Sequence, residues 1–313
     1  MADSPLYLVT GGAGFIGSHL VSGLLRAGRR VRVLDNFSSG RRENLQVLQG
    51  DLQVLEADIR DPEQIRAAAD GTDVILHEAA FVSVPQSMQD PQACLDVNVG
   101  GTAMLLDAAR RAGVRRVVLA SSAAVYGDST DLPLREDTAA RPQSPYALSK
   151  RINEMYATMF SEQFGMQVVA LRYFNVFGSR QRPDTMYAAA IPNFIGRLTA
   201  GKRPVVFGDG KQSRDLIHVH DVVRANMIAA EHPNASGKIF NVCTGRETAL
   251  LDILEVLSEF FPNAKDPEYE PTRPGDIYRS VGDPSLAGEM LNFASEVSLS
   301  EGLREVVASM SSD

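Results

Sequence analysis

From residue 6 onward, short apolar runs alternate with longer stretches in which apolar residues recur every three or four positions. The runs 6-LYLVT-10, 31-VRVLD-35, 52-LQVLEAD-58, 73-DVILH-77, 115-RRVVLAS-121 and 167-QVVALRY-173 read as strands. The segments near 15–28, 62–70, 93–112 and 146–165 read as helices between them. Strands this rich in Val, Leu and Ile are buried on both faces, which argues for a parallel sheet with helices on either side. Six such strands fit an α/β, doubly wound architecture. After about residue 178 prolines and glycines become frequent, with helices expected at 188–200, 219–231, 249–260 and 285–292. The pattern predicts a first domain over 1–178 and a smaller α/β lobe over 179–313, interleaved with the end of the first.

The first strand runs directly into 10-TGGAGFIG-17 and then into an apolar helix. Gly11, Gly14 and Gly17 allow a tight turn, close approach of backbone N–H groups to a pyrophosphate, and close helix–strand packing. Asp35 ends the second strand about 20 residues on, where a carboxylate accepts hydrogen bonds from a ribose. That charge repels a 2′-phosphate and favours NAD over NADP; Arg41 and Arg42 nearby keep NADP open. Asp58, at the end of the third run, is placed either to cap the adenine edge or to sit as a solvated loop acid.

Tyr146 and Lys150, in 144-SPYALSK-150, share one helix face. An ammonium beside a phenol favours the phenolate, so the tyrosine can act as a general base. By itself this spacing is common on helices. The glycine loop upstream, and the hydroxyls of 120-ASSAAVYG-127 at the carboxyl edge of the sheet, give it weight. Ser122 can then bond the substrate oxygen that Tyr146 deprotonates, with Ser121 the nearby alternative.

Hydrophobic residues make up 44% of the 313 and charged residues 22%, which argues against disorder. A net charge of -8 gives nucleic acid no electrostatic reason to bind. No apolar run of about 18 residues marks a membrane span. The start of the chain does not read as a secretory signal, and Cys94 and Cys243 are far apart. Reduced thiols and a cytoplasmic location are expected. The histidines do not group with carboxylates, and His218 and His220, two apart in a strand-like run, are expected to face opposite ways. No metal is expected.

Taken together, TGGAGFIGSHL, LDNFSSG, HEAAFVSVPQS, NVGGT, SSAAVYG, PYALSK, LRYFNVFGSRQ, GDGKQSRDLIHV and RPGD resemble an extended short-chain dehydrogenase/reductase of the nucleotide-sugar type. Within that group the chain is similar to UDP-glucose and UDP-N-acetylglucosamine 4-epimerases. The resemblance implies a Rossmann sheet that retains NAD. Besides Gly11, Gly14, Gly17 and Asp35, it assigns the cofactor to Phe15, Ile16, Asn36, Asp58, Ile59, Ala79, Ala80, Asn98, Ser121, Tyr146, Lys150 and Tyr173. It makes Tyr146 the base, tuned by Lys150 and assisted by Ser122. It gives a UDP-sugar to Asn175, Phe207, Arg214, Arg273 and Asp276, with Ser280 bordering the sugar's C2 group and Tyr278 the alternative occupant of that space. A homodimer built on the helices near 93–112 and 146–165 is implied as well.

Departures from the family pattern bear on chemistry. Related dehydratases carry an Asp-Glu pair, and related decarboxylases a Glu, after the catalytic hydroxyl; here those places are Ala123 and Ala124. A usual Asn-Leu contact to the sugar is Ala189-Ala190. The simplest chemistry, redox-neutral 4-epimerisation, is therefore expected. A nucleotide-sugar oxidoreductase or decarboxylase and a dinucleotide-sensing regulator are the alternatives, and the retained Tyr/Lys pair counts against the regulator.

Overall fold

The computed structural model describes residues 4–181, 190–262, 264, 266–272 and 277–310. In chain order the strands are β1 Leu6–Thr10, β2 Arg30–Asp35, β3 Leu52–Glu56, β4 Val74–His77, β5 Arg116–Ser122, β6 Gln167–Tyr173, β7 Asn175–Phe177, β8 Val205–Phe207, β9 Ser213–Arg214, β10 Leu216–His218, β11 Ile239–Val242, β12 Thr248–Ala249, β13 Glu268–Glu270 and β14 Arg279–Ser280. The helices are α1 Phe15–Arg26, α2 Glu43–Gln46, α3 Pro62–Ala69, α4 Val84–Gln89, α5 Pro91–Leu95, α6 Thr102–Ala112, α7 Pro145–Phe164, α8 Ala190–Thr199, α9 Val219–Glu231, α10 Leu250–Ser258, α11 Ser285–Leu291 and α12 Leu299–Met310.

Seven strands form one parallel sheet in the order β11-β6-β5-β4-β1-β2-β3. Alternate side chains enter opposite cores, as a pleat of period two requires. Tyr7 and Val9 join the layer under α1 and α9, whereas Leu8 joins the layer under α3, α6 and α7. The six expected strands are present. The seventh, β11, comes from the second half of the chain and pairs with β6. Helix α9, also from the second half, packs on α1 and covers the same face. The chain winds one way through β1, β2 and β3 and the other way through β4, β5, β6 and β11. The reversal between β1 and β4 opens a crevice at their carboxyl ends.

A separate core holds the second lobe, with Phe194 and Ile195 of α8, Ile253 and Leu257 of α10, and Leu303 and Val306 of α12 buried together. Helix α12 was not among the expected elements. The helix expected over 93–112 is three pieces: α5, a wider π-helical turn over Asp96–Gly101, and α6. Gly101 lies against Ile59 there, where a Cβ would stand 2.7 Å from the Ile59 side chain. His218 and His220 do not face opposite ways. The strand ends at His218 and α9 starts at Val219, so the alternation stops and the two rings meet at a centroid distance of 4.8 Å.

Helix α7 is held to the sheet by charge. Arg172 on β6 donates from Nε to Glu154 Oε1 at 2.7 Å and from Nη2 to Oε2 at 2.9 Å. Tyr126 and Ser121 complete the cluster, at 2.8 Å from Arg172 and 2.6 Å from Glu154. Burial pushes the Glu154 carboxyl up, but the hydrogen bonds and charge of Arg172 outweigh it, so the group stays below its ordinary range. Breaking a buried pair from one side costs about 3–5 kcal/mol because the other charge is left uncompensated. Arg172→Met is expected to lose about that much in urea unfolding. A loss within the ~0.5 kcal/mol of an ordinary surface change would show that the pair does not fasten α7.

Candidate active site

Chain geometry at the crevice is set by close backbone contact. Gly11 has φ +67°, and a Cβ there would stand 2.7 Å from the Ala79 nitrogen just past β4. A Cβ on Gly17 would collide with the Gly11 carbonyl. The loop closes on Asp35, whose carboxylate accepts from Ala13 N and Phe37 N, both at 2.8 Å. Those two bonds leave further lone pairs on a carboxylate that offers about four. Phe15 and Ile16 open α1 beyond this loop. Asn36 donates to Asp58 at 2.9 Å, and Arg60 holds the Asp58 carboxyl far below its ordinary range. Ile59 is buried behind them. Arg42, which kept NADP open, is paired with Glu56 at 2.6 Å and stacked on Phe37 at 4.0 Å. The glycine cradle and the acidic end of β2 fit an adenine dinucleotide lacking a 2′-phosphate. The loop after β1, Asp35 and the ends of β4 and β5 meet at this crevice.

Helix α7 begins with Ser144, whose hydroxyl accepts from Ala147 N at 3.1 Å, and with Pro145 in the first turn. Both features fix a helix start, and they put Tyr146 at the mouth of the crevice. Tyr146 N also donates to Ser87 Oγ at 3.2 Å. A turn below, Lys150 Nζ donates to the Ala120 carbonyl at 2.9 Å and lies 5.8 Å from the Tyr146 ring centre. Ser122 hydrogen-bonds the Tyr146 phenol. Burial pushes that phenol above its ordinary range, Ser122 pulls it back, and Cys94 and Glu78 push it further up. The lowering of Tyr146 expected from Lys150 is thus not the dominant effect, because the ammonium is turned to Ala120. Burial pushes Lys150 itself down, against the supporting charge of Glu78.

The two serines divide. Ser121 is committed to Glu154, so its hydroxyl does not serve as the alternative to Ser122. Asn98 sits in the π-helical turn and grips the loop after β4, accepting from Phe81 N at 2.7 Å and donating to Phe81 O at 3.1 Å. It also donates to Ser149 Oγ at 2.9 Å, linking Ala79, Ala80 and Phe81 to α7. His77 is locked between Thr10 Oγ1 at 2.7 Å and Thr102 Oγ1 at 2.9 Å, and burial pushes it down to about 3.

One site group escaped the sequence reading. Glu78, next to His77, accepts from the Tyr173 hydroxyl at 2.7 Å, and Asn226 of α9 donates to that hydroxyl at 2.7 Å. Burial pushes Glu78 up to about 7. The signal was a carboxylate just past His77, at the end of the apolar run 74-VIL-76.

On the second lobe, Arg214 and Ser280 are partners in the parallel register of β9 and β14. Asp215, fully buried, accepts from Thr244 N at 2.8 Å, Gly245 N at 2.9 Å and Gly282 N at 3.3 Å. It ties the ends of β11 and β14 to the segment carrying Arg214, a role not foreseen from the sequence. Asn175 is exposed on β7 and Phe207 is half-buried on β8. Tyr278 donates to Asp209 at 3.0 Å on the exposed rim, so its hydroxyl is anchored there. Arg273, Asp276 and Ala189 lie outside the described residues.

A parallel sheet with a glycine cradle at its switch point and a Ser–Tyr–Lys set beside it defines an NAD-dependent enzyme that works on a hydroxyl or carbonyl carbon. The chain belongs to the NAD dependent epimerase/dehydratase family, matched over residues 7–243. It is 40% identical to a UDP-glucose 4-epimerase of Mycolicibacterium smegmatis, over 96% of each chain. It is 31% identical to a UDP-N-acetyl-alpha-D-glucosaminuronate decarboxylase of Bacillus cytotoxicus, over 96% of each. It also superposes with a TM-score of 0.94 on the UDP-N-acetylglucosamine 4-epimerase of Methanobrevibacter ruminantium M1 in complex with UDP-N-acetylmuramic acid, at 36% identity, covering 100% of this chain and 99% of that one. NAD is the cofactor.

The Glu78 charge raises Tyr146. Glu78→Gln removes it, so the phenol ionises at lower pH and the ascending limb of the pH–kcat/KM profile is expected to move toward acid. A limb that stays or moves toward base would remove Glu78 from the electrostatics of the site.

Proposed function

We propose that this chain is a UDP-hexose 4-epimerase. The observation that carries the reading is the turn after Ser122. Residues Ala123–Tyr126 form a tight 3₁₀ turn that presents two alanines where elimination or decarboxylation in related enzymes uses a carboxylate. The site then has a base and a hydroxyl to orient the oxygen, and no acid at that place. NAD supplies the acceptor, and later the donor, of the C4 hydride. Tyr146 takes the 4-hydroxyl proton as C4 loses its hydride, with Ser122 holding the oxygen. The 4-keto sugar turns about the diphosphate, regains the hydride on its other face, and receives the proton back from Tyr146. Nothing is consumed, so the cofactor stays bound.

Asn175, Phe207, Arg214, Arg273 and Asp276 are the proposed grip on UDP; an anionic diphosphate suits arginine. Ser280 borders the C2 substituent. Its small side chain and its register opposite Arg214 support a pocket that admits an acetamido group. Met88, Leu95, Leu148 and Met155 are exposed on α4, α5 and α7 and support a homodimer through these helices. Among the described residues no helix is long and apolar enough to cross a membrane. The two cysteines are free and buried, which fits the proposed cytoplasmic location.

Tyr146→Phe keeps the ring packing and removes the proton acceptor. It is expected to hold NAD and to lose about 10²–10⁴-fold in turnover, followed by NMR of the UDP-sugars. Near-normal turnover would remove Tyr146 from the chemistry.

The same assay on four sugars tests the pocket. UDP-glucose, UDP-galactose and both N-acetylhexosamine counterparts are expected to interconvert, and Ser280→Tyr is expected to abolish only the acetylated pair. A wild-type protein inert toward the acetylated sugars sinks the role of Ser280. Release of carbon dioxide from UDP-glucuronate without 4-epimerisation of any hexose would replace the reading with a decarboxylase.

A further inference from the structure

The contact between His218 and His220 puts two imidazoles beside a carboxylate, with His19 packed against His220 at 5.5 Å. His220 Nδ1 lies 3.6 Å from Glu305 Oε2, and His218 Nε2 lies 3.7 Å from the same oxygen. The three donor atoms all fall within 4.8 Å of one another. We propose that His218, His220 and Glu305 form a binding site for one divalent transition-metal ion of the zinc type, fastening α12 to the corner between β10 and α9.

Three observations carry this. First, His218 Nε2 is buried and has no hydrogen-bond partner, and His218 is only 1% exposed. A buried polar atom left unpaired costs about 1–3 kcal/mol, and a metal bond is one way to satisfy it. Second, the donor spacing suits a small ion. Bonds of about 2.0–2.2 Å in a tetrahedron set donors roughly 3.3–3.5 Å apart. The two His–Glu separations need only a few tenths of an ångström of closure; the two nitrogens lie within 4.8 Å of each other, a gap that ring rotation has to close. Third, the surroundings hold the donors in place. Ser179 Oγ donates to the other Glu305 oxygen at 2.8 Å, the kind of outer hydrogen bond that orients a ligating carboxylate. Phe177 packs edge-on against His218 at 5.2 Å. Gly302, one turn before Glu305, lets α12 come close, since a Cβ there would stand 2.9 Å from the His218 ring.

Two features oppose binding and set its strength. His218 Nδ1 accepts from His220 N at 3.4 Å, a long bond that is given up when Nε2 takes a metal and the proton moves to Nδ1. Arg180 shares the field of Glu305 and competes for it. Three protein donors leave a fourth position for water, and two nitrogens with one oxygen suit zinc or cobalt better than calcium or magnesium.

The test uses the full chain with its bound cofactor, stripped of metal by a chelator. Cobalt(II) is titrated and read by the visible absorbance of tetrahedral cobalt, with zinc as competitor. One equivalent is expected to bind saturably and to raise the melting temperature, as any ligand of the native state does. Glu305→Gln and His220→Ala alter half-exposed side chains outside the catalytic machinery. Each is expected to keep the fold by circular dichroism and the metal-free turnover of UDP-sugars, and to weaken cobalt binding at least ~10-fold, or ~1.4 kcal/mol. Absence of saturable one-equivalent binding in the wild type, or wild-type affinity in either variant, overturns the proposal.

Discussion

The bidentate pair between Arg172 and Glu154 is the constraint on which the site depends. It joins β6 to α7 inside the protein, where neither charge can reach water. Helix α7 carries both Tyr146 and Lys150, so this contact, with the Lys150 bond to Ala120 and the Tyr146 bond to Ser87, sets their position relative to the carboxyl ends of the strands. It also takes the Ser121 hydroxyl, which is why the neighbouring Ser122 is the one left for Tyr146. A hydrophobic contact could press the helix onto the sheet, but it could not fix its rotation. Two parallel N–H···O bonds to a planar guanidinium do both.

The chemistry of the floor follows from burial. Tyr146, Lys150 and Glu78 all lose water, and each is displaced toward its neutral form. Burial thus disfavours the phenolate, the ammonium and the carboxylate alike. The second lobe is attached through a buried acid and main chain instead. Asp215 gathers backbone N–H groups from two strand ends, so the segment bearing Arg214 is located by main chain rather than by side-chain packing.

Much of this was legible in the residues. The six apolar runs became strands β1 to β6 within a residue or two, most of them because burial on both faces leaves few polar positions to confuse the period; β3, at the sheet edge, is the exposed exception. The glycine spacing and Ser144-Pro145 were legible for a similar reason, since few other residues satisfy those backbones. What escaped had weak or misleading local signals. Strand β11, Ile239–Val242, is interrupted by the polar Asn241, and its partner β6 lies far away in sequence. Helix α12 shows Leu299, Leu303, Val306 and Met310 at helical spacing, a signal that was present and unused. The π-helical turn at Asp96–Gly101 keeps the polarity of a helix while shifting its face. His218 and His220 were read with the wrong period because the strand stops between them. Ser121 and Glu154 are hidden for a different reason: their roles are set by a partner on another element.

The origin of β11 has a consequence for biosynthesis. When the ribosome has released the first six strands, β6 is an open edge with its N–H and C=O groups unpaired on one side. The sheet face under α1 is also bare, because Val222, Ala225 and Ala229 of α9 have yet to be made. The nascent chain therefore carries an uncovered apolar face until residue 231 has been made and a sticky margin until residue 242. Unpaired strand edges and exposed apolar surface of this kind make such an intermediate prone to aggregate. The second half supplies the outermost strand of the sheet, so β6 becomes an internal strand only when β11 pairs with it.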